Sequence, residues 1–138
     1  MTRRYEDIAV GDTLPELAIP LTRTLIVATA LATRDFQDVH HDPDLARERG
    51  SKDVFMNILT SNGLVGRYVT DWAGPAISLR RIAIRLGAPN HPGDTMTLSG
   101  EVLSARDGVV EVKVVGVNAL GTHASGTVTV AFPEGGTR

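Results

Sequence analysis

Residues 56–72 read MNILTSNGLVGRYVTDW, and this stretch decides the fold because it is the longest segment with helical periodicity. Side chains recur on one face at spacings of three and four residues, which favours an amphipathic helix. The members of that face are Ile58, Ser61, Leu64 or Val65, Tyr68 and Trp72. Gly63 and Gly66 each cost about 1 kcal/mol of helix propensity relative to alanine. They therefore predict a close approach to another backbone, and AGP at 73–75 ends the helix.

The chain that follows this helix changes to a period of two residues, which indicates β-strands. Four segments carry the pattern: ISLRRIAIRL at 77–86, TMTLSGEV at 95–102, VVEVKVVGV at 109–117 and HASGTVTVAF at 123–132. Because a sheet with one apolar face needs a cover, we expect the long helix to pack on it in an α+β fold. A free sheet edge would invite aggregation, so we also expect a dimer that continues the sheet.

The composition narrows the class of protein. The chain has 138 residues, a formal net charge of −2 and no cysteine. This length predicts one domain over 1–138, with a frayed tail at 133–138. The lack of cysteine excludes thiol nucleophiles and thiolate metal sites, and the balanced charge with few aromatic residues argues against nucleic-acid binding. No apolar run approaches the roughly 20 residues of a membrane span, and the N-terminus lacks a signal-like apolar region, so we expect a cytoplasmic protein.

The segments that precede the long helix contain two shorter helices and a turn. Gly11-Asp12 predicts a turn that leads into an extended segment. A short helix is predicted over 24–34, with Thr24 as its N-cap. Asp42 followed by proline predicts the start of another helix over 43–49, which stops at a glycine.

Between those two helices, residues 34–44 read RDFQDVHHDPD and concentrate titratable groups in a loop. Asp35 and His40 lie five residues apart, and a carboxylate beside an imidazole suits proton transfer near neutral pH. The alternative is that Asp42 only caps the next helix while the histidines are solvated. A metal site formed by His40, His41 and Asp42 is the weakest interpretation, because adjacent side chains tend to point apart.

The segment ATRDFQDVHHDPDLARERG resembles the hydratase signature of the MaoC-like, hotdog-fold enoyl-CoA hydratases, which runs roughly S-G-D-x-N-P-I-H-x-D. Asp35, His40 and Asp42 fall on its aspartate, histidine and later aspartate, and Ala46 falls in the helix that follows. VGDT, GLVGRYV, PGDTMTLSGEV and GTVTVAF also occur in family order. The resemblance implies a single hotdog fold, with an antiparallel sheet wrapped around the long central helix. It implies a hydro-lyase whose catalytic residues are Asp35 and His40.

A closer resemblance is to the small subunits of two-subunit actinobacterial MaoC-like hydratases, carried by ATALATRDFQDVHHDPD, GSKDVFMNILTSNGLVGRYVTDWAGP and VEVKVVGVNALGTH. It implies hydration of the trans-2-enoyl-CoA thioester of a shortened steroid side chain. It also implies a larger MaoC-like partner subunit, with one active site per heterodimer and two heterodimers per assembly. Hydration needs a base, an acid and an oxyanion donor. We therefore expect no metal and no cofactor beyond the coenzyme A of the substrate.

The chain departs from the general signature at four positions. Gln37 and Asp38 replace the asparagine and proline, Asn57 stands where the family has a histidine, and Ile58 stands where it has a glycine. In the family, the backbone N–H of that glycine helps to hold the thioester oxygen. Ile58 keeps an N–H at the start of the long helix, so we expect Asn57 and Ile58 to position the substrate and its oxyanion. Asn57 as a simple N-cap is the alternative.

Other candidates are weaker. Arg80, Arg81 and Arg85 could bind coenzyme A phosphates, with a solvated strand face as the alternative. His91 is expected to be exposed, and His123 is expected on the polar side of the last strand without a partner. Tyr68 and Trp72 are expected to pack in the core or an interface rather than on a ligand.

Three other functions remain open. One is a self-sufficient homodimeric R-specific hydratase for ordinary acyl-CoA. Another is a hotdog thioesterase, which would need a carboxylate on the long helix, where Asp71 is the only one. The last is a non-catalytic subunit, which the presence of both Asp35 and His40 disfavours.

Overall fold

The computed structural model describes residues 1–134, so the part of the predicted frayed tail at 135–138 lies outside the described residues. The helices are α1 Arg23–Ala32, α2 Pro43–Glu48 and α3 Ile58–Ala73. The strands are β1 Thr13–Pro20, β2 Ser78–Leu86, β3 Thr95–Arg106, β4 Val109–Asn118 and β5 Gly121–Ala131, and short 3-10 turns occupy Tyr5–Asp7 and Asp38–His40. The predicted order of helices followed by four strands is confirmed, and the predicted extended segment before them is β1.

All five strands form one antiparallel sheet in the order β1-β3-β4-β5-β2. The predicted two-residue alternation holds along β3 and β4 and along β5 from Ala124 onwards, where even-numbered side chains face the core. The buried ones are Met96, Leu98, Val102, Val110, Val112, Val114, Val128 and Val130. This single apolar face confirms the predicted α+β fold, and it requires a cover.

Helix α3 provides that cover through Val65, Tyr68 and Val69, which are buried. The Tyr68 hydroxyl donates a hydrogen bond of 2.8 Å to the Pro15 carbonyl on β1. Gly100 leaves room for the Tyr68 ring, because a Cβ there would lie 3.2 Å from Tyr68 Cε1. Tyr68 is thus a core residue, as predicted.

The periodicity was wrong about the first turn of α3. Ile58 is 51% exposed, whereas Thr60, which was not predicted on the buried face, is buried beside the correctly predicted Ser61. The prediction for the glycines holds in part: a Cβ on Gly66 would lie 2.9 Å from Ile82 Cδ1, so the helix approaches a side chain of β2 rather than its backbone. A Cβ on Gly63 would meet nothing within 4 Å, so the predicted close approach is absent there within residues 1–134.

The N-terminal segment of the chain binds the C-terminal end of α3. The backbone N–H of Arg3 donates to the Ala73 carbonyl and its Nε donates to the Trp72 carbonyl, each at 2.8 Å. The Arg3 guanidinium also lies 5.1 Å from the centre of the Trp72 ring. These bonds satisfy carbonyls that a helix C-terminus otherwise leaves without partners. The start of the chain therefore helps to fix the end of α3.

The shorter helices begin close to the predicted residues. The N-cap of α1 is Thr22, whose hydroxyl accepts from the Leu25 N–H, so the prediction of Thr24 was wrong by two residues. Asp42 caps α2 as predicted and accepts from the N–H groups of Asp44 and Leu45. Among residues 1–134, no helix is both long enough and apolar enough to cross a membrane.

Substitution of Gly126 by alanine is expected to destabilise the sheet. A Cβ at this position of β5 would overlap the Ala83 carbonyl oxygen on β2, so one strand must move. We expect a loss of about 1–3 kcal/mol in the free energy of unfolding, as for other overpacked sites, measured by denaturant unfolding. Gly63→Ala is the matched control and should gain up to about 1 kcal/mol, since alanine favours a helix. Equal stability of Gly126→Ala and the parent protein would contradict the close approach.

Candidate active site

Asp35 is placed by the C-terminus of α1. The N–H of Asp35 donates to the Ala30 carbonyl at 2.9 Å, and the N–H of Arg34 donates to the Leu31 carbonyl at 3.0 Å. This pair of bonds is the Schellman motif, which usually has glycine at the left-handed position. Here Arg34 takes that conformation, with φ of 58°. The chain therefore reverses sharply at the end of α1, and the Asp35 carboxylate remains partly exposed, at 22%.

His40 ends the 3-10 turn, and its ring is buried against the segment that leads into α3. Nδ1 lies 2.7 Å from the Phe55 carbonyl oxygen. The ring also packs edge-on against the Phe55 ring, with centroids 4.9 Å apart. Because a carbonyl only accepts, Nδ1 carries the hydrogen, and in the neutral ring Nε2 keeps a lone pair.

The segment that supplies the Phe55 carbonyl is anchored on both sides. Arg23 donates two hydrogen bonds of 2.9 Å to the Asp53 carboxylate, and these bonds lower the pKa of Asp53 to about 2. His91 Nδ1 lies 2.9 Å from the Val54 carbonyl, and the Phe55 N–H donates to Val39. The acceptor that orients His40 is thereby held in place.

Asp35 and His40 are brought together by this arrangement, with His40 Nε2 3.4 Å from Asp35 Oδ2. That separation exceeds the roughly 2.7–2.9 Å of a charge-assisted N–H···O bond. When His40 is neutral, its Nε2 and Asp35 Oδ2 can therefore both accept a hydrogen bond from a third group. Such an arrangement suits a small molecule that donates hydrogen bonds to both atoms, such as water.

The first turn of α3 lies beside the pair because Asn57 connects them. Its Nδ2 lies 3.2 Å from Asp35 Oδ2, and its Oδ1 caps α3 by accepting from the Thr60 N–H at 3.2 Å. The N-cap role considered for Asn57 is thus confirmed. Within the described residues, the N–H groups of Ile58 and Leu59 have no acceptor. They lie at the positive end of the helix dipole and are available to a carbonyl oxygen.

Three of the predicted candidates lie elsewhere. Arg80, Arg81 and Arg85 are exposed on β2, and none of them bonds to Asp35 or His40. A role in binding coenzyme A phosphates stays a prediction. Asp71, the carboxylate that a thioesterase interpretation would need, lies exposed near the end of α3 and pairs with Arg67 at 3.3 Å.

Two histidine predictions were wrong. His91 is buried rather than exposed, and it binds the Val54 carbonyl. His123 is buried and lies 2.8 Å from Ser61 Oγ through Nε2 and 2.7 Å from the Ala88 carbonyl through Nδ1. Burial lowers the pKa of His123, partly opposed by the bond to Ala88. The alternation failed at His123 because the β4–β5 register shifts there, and a bulge turns one extra residue inward.

Exposed apolar side chains surround the pair. Phe36, Ile58 and Leu59 are 65%, 51% and 49% exposed. Three clefts of about 410, 750 and 530 Å³ all lie around the N-terminal segment, and none of them includes Asp35 or His40. Across residues 1–134, no group of three or more His, Asp or Glu side chains is placed to hold a metal ion. Phe36, which follows Asp35, and Ile58 and Leu59, which begin α3, therefore place exposed apolar surface next to the site.

The sequence pattern missed the residues that hold the pair. The Phe55 carbonyl has no side-chain signal, and neither Thr33 nor Thr60 belongs to a recognisable motif, although both contact Asn57. Arg34 gives no sign of its left-handed conformation, since glycine or asparagine would be usual there.

Comparison with known proteins shows which proteins this chain resembles. The chain is 58% identical over 125 residues to the 3-oxo-4,17-pregnadiene-20-carboxyl-CoA hydratase beta subunit of Mycobacterium tuberculosis, covering 91% of this chain and 97% of that protein. It superposes with a TM-score of 0.89 on a chain of the ChsH1–ChsH2 complex of the same organism, at 57% identity, covering 91% of this chain and 98% of that one.

More distant structures share the fold alone. The R-hydratase PhaJ1 of Pseudomonas aeruginosa superposes with a TM-score of 0.86 at 21% identity, covering 95% of this chain and 86% of that chain. The antiparallel sheet with its covering helix is thus the predicted hotdog fold. Residues 9–124 match the family model described as a MaoC like domain. The chain therefore belongs to the MaoC-like family.

Proposed function

We propose that the protein is an enoyl-CoA hydratase subunit that adds water to a trans-2-enoyl-CoA thioester. The observation that carries the proposal is the pairing of Asp35 Oδ2 and His40 Nε2 at 3.4 Å, beside the free N–H groups of α3. Hydration of a conjugated thioester needs a proton acceptor, a proton donor and stabilisation of charge on the thioester oxygen. The first turn of α3 and the loop after α1 offer all three.

In the proposed mechanism, one water molecule lies beside Asp35 Oδ2 and His40 Nε2 and donates a hydrogen bond to each. Asp35 takes a proton from the water as its oxygen bonds to the β carbon of the substrate. His40 orients the water, receives this proton from Asp35 Oδ2 on the Nε2 lone pair and delivers it to the α carbon, which leaves Asp35 ionised and His40 neutral again. The water thus contributes its hydroxyl to the β carbon and its proton to the α carbon. Meanwhile the N–H of Ile58 or Leu59 binds the thioester oxygen, where negative charge accumulates. Every proton acceptor and donor in this scheme belongs to the chain or the water, so it needs no metal or redox cofactor.

The substrate we propose is the coenzyme A thioester of a steroid side chain, and the partner is a larger MaoC-like subunit. Support comes from the 58% identity to a hydratase beta subunit whose name specifies a pregnadiene-carboxyl-CoA, and from the likeness to a chain of a two-component complex. The open surroundings of the pair agree, because Phe36, Ile58 and Leu59 leave apolar surface for a partner and a bulky acyl group to cover. We propose that two such heterodimers associate and that this assembly is located in the cytoplasm.

Loss of either member of the pair is expected to abolish most activity. His40→Ala and Asp35→Asn should each lower kcat by about 10²–10⁴-fold, the usual contribution of a positioned acid or base. The measurement is the decrease in conjugated-thioester absorbance of the enoyl-CoA, made on the complex. His41→Ala is the control, because this neighbouring histidine is exposed and lies 3.3 Å from only the Phe36 carbonyl. Retention of the parent rate by both variants would exclude the proposed pair.

The oxyanion role of the Ile58 N–H has a test of its own. Ile58→Pro removes this N–H at the first helical position, where proline is well tolerated. The preceding Asn57 already has the extended ψ of 160° that proline requires. We expect kcat to fall by about 10²–10³-fold, as when other oxyanion donors are lost, whereas Ile58→Ala keeps the N–H and should retain most of its rate. Equal rates for the proline and alanine variants would assign the oxyanion to another donor.

The dependence on a partner is tested by comparing two preparations. One is the chain alone, and the other is the chain co-purified with a larger MaoC-like subunit. Each is offered crotonyl-CoA and a steroid side-chain enoyl-CoA. We expect hydration of the steroid substrate by the complex only, because the single chain leaves the apolar side chains of Phe36, Ile58 and Leu59 exposed beside the site. Turnover of crotonyl-CoA by the chain alone would instead support a self-sufficient homodimeric hydratase.

A further inference from the structure

We propose that Asn57 is a positioning residue that sets the orientation of the Asp35 carboxylate and does not contact the substrate. This inference rests on the proposed hydratase function and changes the part that the sequence pattern suggested for Asn57. Asn57 is 1% exposed, so its amide lies beneath the site rather than in it.

The hydrogen-bonding capacity of the Asn57 amide is used up inside the chain. Nδ2 donates to Thr33 Oγ1 at 2.9 Å and to Asp35 Oδ2 at 3.2 Å. Oδ1 accepts from the N–H and the hydroxyl of Thr60. A carboxamide has two donor hydrogens and two acceptor lone pairs. Nothing remains with which Asn57 could bind a thioester oxygen.

The surrounding groups also decide which way the amide faces. The Thr33 hydroxyl donates to the Thr29 carbonyl at 2.8 Å, so its oxygen is left to accept. Asp35 Oδ2 is a carboxylate oxygen and can only accept, whereas the Thr60 N–H can only donate. Two acceptors therefore face Nδ2 and a donor faces Oδ1, and the opposite orientation of the amide would lose three bonds.

The contact with Asp35 falls on the oxygen that matters for the reaction. Oδ2 is the atom that lies 3.4 Å from His40 Nε2, and Asn57 Nδ2 holds the same atom. The remaining oxygen, Oδ1, has only a long contact of 3.4 Å with the Gln37 N–H. Rotation of the carboxylate is therefore opposed chiefly by Asn57, whose other end fixes the first turn of α3. Asn57 thus fixes the position of the Asp35 carboxylate, the proposed base, relative to the free N–H groups at the start of α3. Displacements near 1 Å in such geometry lower the rate by about 10²-fold.

The test is a double-substitution cycle on the complex. Asn57→Ser keeps a side-chain oxygen that can cap the helix, but the serine side chain is too short to reach Asp35. We expect kcat to fall about 10- to 100-fold with KM changed less than threefold, and no further fall beyond about twofold when the substitution is made in an Asp35→Asn background. Non-additivity of this kind is the signature of residues that act through one another. If Asn57→Ser lowered kcat by the same factor in the parent and in the Asp35→Asn variant, the proposal would be overturned, and Asn57 would act on the substrate directly.

Thr60→Val is the matched control, because it removes one bond to Asn57 Oδ1 and leaves both bonds of Nδ2. It should keep kcat within about threefold. Should Asn57→Ser fail to fold, Asn57→Thr serves in the same cycle, since its hydroxyl can also cap the helix and its side chain is too short to reach Asp35.

A crystal structure of the folded Asn57 variant separates this proposal from the hydratase proposal, because it needs no turnover. We expect the Asp35 carboxylate to rotate away from His40 and the 3.4 Å separation to be lost. An unmoved carboxylate would overturn the positioning role whether or not the complex is a hydratase. Absence of any enoyl-CoA hydration by the parent complex would count against the proposed function alone.

Discussion

The single apolar face of the sheet must be buried, and α3 is held on it at polar points along its whole length. Asn57 fixes the first turn, Ser61 binds His123 of β5 one turn later, and the Tyr68 hydroxyl binds β1. Arg3 bonds to the last carbonyls of the helix. Hydrophobic burial alone is non-directional and would let the helix slide or rotate. The directional bonds select one placement, and everything at the N-terminus of α3 depends on it.

The candidate site depends on that placement because it has no element of its own. Asp35 follows α1, His40 belongs to a 3-10 turn, and the free N–H groups begin α3. Their common reference is the short segment that ends at Asn57, since the Phe55 carbonyl orients His40 and Asn57 holds Asp35. A shift of α3 along the sheet would therefore move both the Phe55 carbonyl that His40 binds and the Asn57 amide that binds Asp35. Stability of the fold and geometry of the site are linked through these few residues.

Local patterns predicted the features that local physics controls. The period of two located β3 to β5, helical spacing located α3, and Asp42 before a proline marked the start of α2 within one residue. The pattern also singled out Asp35 and His40, though not how they are held. His123 was misplaced because a bulge, set by the partner strand, breaks the alternation. The acceptor for His40 is a backbone carbonyl, which every residue has, so no residue type could reveal it.

The two histidines held most alike show why only one is free to react. In His40 and in His123, Nδ1 lies 2.7 Å from a backbone carbonyl, which fixes the hydrogen on Nδ1 and leaves Nε2 as an acceptor. At His123, the Ser61 hydroxyl donates a hydrogen bond to Nε2, so both ring nitrogens have partners. Burial of the ring lowers the pKa of His123. At His40 the same atom faces a carboxylate oxygen, which has no hydrogen to give when ionised. His123 Nε2 is thus occupied by the Ser61 hydroxyl, whereas His40 Nε2 faces the partly exposed Asp35 carboxylate. That difference makes His40, rather than His123, the histidine that can exchange a proton with a bound water molecule.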